Sequence, residues 1–180
     1  LHHGDVESGL NTHHADSFVA FELPAEGDYF VHLGDTARNG GPAYAYRLRI
    51  SRPRPDFALR VVPSCGAFRS KGFAAFNVYA VRKEGFTGAI QLSLKDPPEG
   101  FAAAKATLPA GKEMVRLGIK TTLKKTDRPV RLTIEGRATI EGQEVVREAV
   151  PAEDRMQAFL WRHLVPAEDL PVFVYDPSYD

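Results

Sequence analysis

Hydrophobic and polar residues alternate with a period of two along most of this chain, from residue 17 to residue 150. Successive side chains of a strand point to opposite faces, so this period predicts half-buried β-strands. In the first stretch Phe18, Ala20 and Glu22 interleave with Val19, Phe21 and Leu23, and the turn residues "PAEG" follow. The next run is Asp28 to Leu33, with Tyr29, Val31 and Leu33 on one face. "GDTARNGG" (34–41) is a loop by composition. In a third run Tyr44, Tyr46, Leu48 and Ile50 face one way and Arg47 and Arg49 the other, which places the two tyrosines in a core.

"SRPRP" (51–55) interrupts the pattern. Its two prolines, at alternate positions, hold the chain extended and remove backbone donors, as in a short stiff linker. Seven further strand-like runs follow: Phe57 to Val62, Phe73 to Arg82, Ala89 to Lys95, Ala102 to Thr107, Glu113 to Thr121, Val130 to Ile140 and Glu144 to Val150. Alternation is clean in several. Ile90, Leu92 and Leu94 oppose Gln91, Ser93 and Lys95, and Val115, Leu117 and Ile119 oppose Arg116 and Lys120. Turn signals such as "KEGFTG", "DPPEG", "LPAG" and "EGQ" separate the runs, and helical periodicity is absent. Many short strands, each with one apolar face, predict a β-sandwich.

After Val150 the period changes. Pro151 stands just inside a helix start, with Glu153 and Asp154 in the first turn, where the helix dipole favours acids. Met156, Phe159, Leu160, His163 and Leu164 then fall at helical spacing, predicting a short amphipathic C-terminal helix. "VPAED" (150–154) recurs at 165–169 as a short local repeat. The tail "LPVFVYDPSYD" suits one more strand or the start of a following module. The expected order is therefore a partial β unit (1–51), a Pro/Arg linker (52–56), a sandwich (57–150) and a helix with tail (151–180). Three strands in some fifty residues bury too little apolar surface alone, so the first unit must dock on the sandwich or be completed by further strands.

Composition narrows the function classes. The 180 residues are 43% apolar and 26% charged, ordinary for a folded domain. Basic and acidic residues number 23 each, so no global field draws the chain to nucleic acid. No apolar run is long enough for a membrane span, and no cleavable signal segment is visible at the start. Cys65 is the only cysteine, which excludes an internal disulfide and zinc sites built on paired cysteines.

The candidate chemistry is sparse. His13 and His14 are adjacent, and on an extended segment their rings point apart; His14 and Asp16 share a face but give two ligands where zinc needs three or four. Calcium asks for six or more oxygens, for which Asp16, Asp35 and Asn39 are the leading candidates, with Asp5, Glu7 and Asp28 within the same region. No contiguous calcium loop of the D-x-D-x-D-G type occurs, so solvated acids at strand ends is the simpler reading. Cys65 in "PSCGAF" reads as a small buried or turn thiol, and Ser64 lacks a G-x-S-x-G context. None of the six histidines sits in a hydrolase or metalloprotease motif, so no enzyme is expected. Arg47, Arg49, Arg52, Arg54 and Arg60 make the linker basic, which suits a solvated strand face or an acidic polysaccharide or phosphate. Trp161 lies off the predicted helix stripe, where it would cover a domain junction or anchor a partner.

Two segments carry resemblances. Asp16, Phe18, Gly27, Tyr29, Val31, Tyr46, Leu48 and Ile50, in "DSFVAFELPAEGDYFVHLGD" and "GGPAYAYRLRIS", make residues 16–51 similar to the second half of a bacterial pre-peptidase C-terminal domain. That resemblance implies a partial jelly roll. Residues 57–150, with "LKDPPEGF" and "LPAGKEMVRLGI", resemble bacterial immunoglobulin-like modules, without the Cys–Trp–Cys core of antibody domains. The whole arrangement, including "PAED", "QAF" and "RHLVPA", resembles large exported proteins of planctomycete-type bacteria. What the resemblance implies is an extracellular or periplasmic, non-catalytic structural or interaction module. It would carry no cofactor unless calcium, and its partners would be other domains of the parent protein, an extracellular protein or a glycan. The alternative is a calcium-assisted glycan- or protein-binding accessory module of a secreted hydrolase or protease.

Overall fold

Among the described residues the alternating runs turn into hydrogen-bonded sheet from Asp56 onward, whereas those between 19 and 50 do not. The computed structural model describes residues 10–11, 19–35, 37–156 and 162–178. It is all-β, and the described residues contain no helix. In chain order the strands are β1 (Leu10–Asn11), β2 (Asp56–Val62), β3 (Gly66–Arg69), β4 (Phe73–Lys83), β5 (Ile90–Leu94), β6 (Phe101–Ala103) and β7 (Ala106–Leu108). They continue as β8 (Met114–Thr121), β9 (Val130–Leu132), β10 (Ile134–Ile140), β11 (Gln143–Met156), β12 (Arg162–Pro166) and β13 (Leu170–Tyr175).

Eight of them pair in the order β6-β8-β4-β2-β11-β10-β5-β7, with β12 joining β11 and β1 joining β12. The two ends of that path, β6 and β7, are separated only by Ala104 and Lys105. The sheet therefore curls until it returns to its start through the chain itself. A separate three-stranded sheet, β3-β13-β9, lies beside it. One buried cluster joins the two sheets: Phe57 and Leu59 of β2, Phe76 of β4, Leu117 and Ile119 of β8, Ile90 of β5, and Phe68, Leu170 and Val174 from the smaller sheet. Phe68 bridges them, with its ring 6.3 Å from that of Phe76 and edge-on to Phe101 at 5.5 Å. Burying each such ring contributes about 1.5–3 kcal/mol.

Local chemistry sets the turns. Glu141 and Gly142 have φ of 50° and 80°, and Ile140 pairs with Gln143, so "EG" forms a two-residue hairpin of the I′ kind that matches strand twist. Gly136 is required for a different reason. A Cβ there would stand 2.6 Å from a Leu59 methyl and 2.7 Å from one of Ile90, so the two layers meet across a bare backbone.

Two expectations need correction. The C-terminal helix is not formed: Pro151 to Met156 continue β11, and His163 and Leu164 belong to β12. Residues 157–161, including Phe159, Leu160 and Trp161, lie outside the described residues. The reason is pairing. β11 runs parallel to β2 at Ala149–Pro151 and then antiparallel to β12 at Ala152–Met156, and these partners override a stripe of helical spacing. The two copies of "VPAED" partly pair with each other, Ala152 with Pro166 and Glu153 with Val165. The tail supplies the strand β13.

The second correction concerns residues 19–50. The runs 19–23, 28–33 and 44–50 carry no strand, although the bends at 25–27 and the turns after Asp35 and Gly41 fall where composition places them. Their apolar side chains are in solvent: Phe30 is 98% exposed, Ile50 76% and Tyr46 75%. Tyr44 and Tyr46 are thus not core residues. A strand is stable only with a partner ladder and a layer to cover its apolar face, and here neither is supplied.

Candidate interaction surfaces

Each outer face of the β body presents the polar half of the alternation, and the two faces differ. On the face formed by β5, β10 and β11, charges satisfy one another. Glu135, only 6% exposed, accepts from Arg137 Nη2 at 2.8 Å and Nε at 3.2 Å, and from the Ser93 hydroxyl at 3.2 Å. Arg137 also reaches Glu144 at 3.2 Å, and Lys95 donates to Glu148 at 2.5 Å. Glu135 hydrogen bonding raises the Arg137 pKa, and Glu148 does the same for Lys95.

The face formed by β2, β4 and β8 is built otherwise. Arg60 stands opposite Tyr79, Asn77 opposite Arg116, and Phe73 opposite Lys120. These positions are out of phase with the buried Leu59, Phe76, Leu117 and Ile119, so they point away from the core. Phe73 is 72% exposed. Beside it, Lys71, Gly72, Phe73, Lys120, Thr121 and Thr122 line an open groove of about 630 Å³. Backbone bonds from Thr121 to the Gly72 carbonyl (2.9 Å) and from Lys71 to that of Leu123 (2.8 Å) fix the groove walls.

The residues singled out in the sequence are dispersed. Arg49 donates to Glu84 at 3.1 Å, and the Arg54 backbone N–H donates to the same carboxylate at 2.5 Å, so Glu84 ties the linker to the body. Arg47 is exposed. Asp35 accepts the Asn39 backbone N–H at 3.0 Å, closing a turn. His14, Asp16 and Trp161 lie outside the described residues. Among the described residues no three His, Cys, Asp or Glu side chains gather as a metal site, and no helix is long and apolar enough to cross a membrane. The Ser64 hydroxyl donates to Glu153, joining the β2–β3 turn to β11, and the neighbouring Cys65 is exposed.

Arg82 escaped notice in the sequence. Its guanidinium lies 5.2 Å from the centre of the Phe86 ring and donates to the carbonyls of Gly88 (2.6 Å), Pro109 (2.9 Å) and Lys112 (3.1 and 3.2 Å). Burial lowers its pKa, against the attraction of Glu113. Two loops, β4–β5 and β7–β8, thus meet on one side chain, at one end of β4.

No family model and no curated protein sequence matches the chain.

Proposed function

We propose that the chain is a non-catalytic interaction module of an exported bacterial protein, in which the β body holds residues 19–50 out for a partner domain. The observation that carries this reading is the exposure of three alternating apolar runs, anchored through Arg49 and Arg54 to Glu84 on a body whose own core is closed. Apolar surface in water is costly, at roughly 25 cal/mol per Å², and a partner sheet or domain would remove that cost. The partial jelly-roll reading of residues 16–51 supports the same idea, since half of such a unit needs its other strands. We also read residues 57–150 as immunoglobulin-like. Support for that comes from the short strands around one core and from the parallel pairing of the first body strand, β2, with the late strand β11.

Hydrogen exchange on the chain alone tests the proposal. Amides of residues 19–50 should exchange orders of magnitude faster than those of β2, β4 and β8. Protection of 19–50 equal to that of the body would mean these runs already have their partner, and the docking reading would fall.

A further inference from the structure

Three cations on the β2–β4–β8 face, Arg60, Arg116 and Lys120, have no acidic partner among the described residues. Among the described residues neither Arg116 nor Lys120 enters an ion pair, and Arg60 donates only to its own strand, at the Leu59 carbonyl (3.1 Å). No carboxylate occupies an outward position from Ala58 to Val62, from Phe73 to Val81 or from Met114 to Lys120. The contrast with the β5–β10–β11 face is direct. There Lys95 and Arg137 each meet an acid. Here Arg60, Arg116 and Lys120 meet none, and the outward acid of these strands, Asp56, stands at the far end opposite Lys83 and paired with Arg147.

We propose that this face binds an extended polysaccharide bearing carboxylates. Spacing selects a chain over a single small anion. Lys120 and Arg116 are four residues apart on one strand, about 13 Å, and Arg60 lies two strands over, so the cations cannot converge on one group. A polymer with repeating charges meets them in turn, and its separate weak contacts combine. Shape agrees. Ala75 pairs with Gly118 in the middle of the face, where a Cβ on Gly118 would meet nothing within 4 Å, so the surface between the cations is low and flat. Phe73 and Tyr79 offer ring faces to the apolar faces of sugars, and the Asn77 amide offers both donor and acceptor. Carboxylate is a partner that arginine takes elsewhere in this molecule, as in the two-pronged Arg147–Asp56 pair at 3.1 Å. Duplex nucleic acid fits poorly, because it carries a charge every ~1.7 Å of axis and would leave most phosphates unmatched. The inference is independent of the docking role of residues 19–50.

Calorimetric titration of the full chain with polygalacturonate, at low and at physiological salt, tests it. Saturable binding should weaken with salt. It should fall about tenfold in the Arg116→Gln/Lys120→Gln double variant, a loss of about 1.4 kcal/mol. Phe73→Ser should weaken it less, and Lys95→Gln on the opposite face should leave it unchanged. Thermal melts of each variant confirm that the body is intact, since all four positions are on the surface. The proposal is overturned by absence of saturable heat at low salt, or by equal affinity of the double variant. Equal or tighter binding of dextran sulfate, neutral mannan, duplex DNA or phosphatidylglycerol vesicles also overturns it.

Discussion

Residues 19–50 and residues 56–140 carry the same period-two pattern and meet opposite fates. In the later region Leu59, Phe76 and Leu117 vanish into one core, while in the earlier one Phe30 and Ile50 stand in water. What differs is the supply of partners. Each body strand finds a ladder on at least one side and a facing layer across the core. Alternation is a statement about one strand, and burial is a property of several.

Substitutions can break that comparison. The largest effect is expected for Phe76→Ala, which empties a site bounded by Phe68 and Gly66 and should cost about 3–5 kcal/mol in denaturant unfolding. Phe30→Ala, the same chemical change in the exposed region, should stay within about 0.5 kcal/mol. A comparable loss at both positions would show that residues 19–50 belong to the folded core. Next, Arg82→Ala strips the donor from three loop carbonyls and should cost about 1–3 kcal/mol. Arg82→Lys should recover only part of this, because an ammonium lacks the planar fork. Gly136→Ala should cost on the order of 1–3 kcal/mol by pushing Leu59 and Ile90 apart, whereas Gly27→Ala, with open space around it, should be close to neutral.

The smallest effect lies at low pH. Burial acts to raise the Asp56 carboxyl, but hydrogen bonds from Arg147 and the Phe57 amide, with the charges of Arg147 and Lys83, outweigh it and hold the pKa below the usual aspartate value. A carboxyl lowered in the folded state stabilises above its unfolded pKa, and that contribution is lost as pH falls through the folded value. Melting temperature should therefore drop faster below about pH 4 in the native chain than in Asp56→Asn. Parallel curves would remove Asp56 from the account.

Much of the body was legible in the sequence. The runs at 57–62, 73–82 and 113–121 become β2, β4 and β8 within a residue or so, because alternation and turn residues agree there. The run 102–107 becomes two strands in different parts of the sheet, and 130–140 divides at Thr133 between two sheets. The inward phase continues unbroken from Leu132 through Ile134 to Ile140, so periodicity has no means of recording the switch. Strand β3 was missed because "GAFR" is too short for a pattern. The cationic face had a visible trace in Arg116 and Lys120, the polar phase of a clean strand. That Arg60 and Phe73 join them needed the register of three strands.

By itself, then, the sequence determined the β character of most of the chain, the positions of its tight turns and which residues of clean strands such as β5 and β8 face inward. These follow from backbone sterics and local spacing. Tertiary structure alone decided that 151–156 is strand and not helix, that residues 19–50 keep their apolar side chains in water, and that one outer face is neutralised while the other remains cationic. Those outcomes depend on which strands lie side by side, and pairing energy is shared between segments distant along the chain.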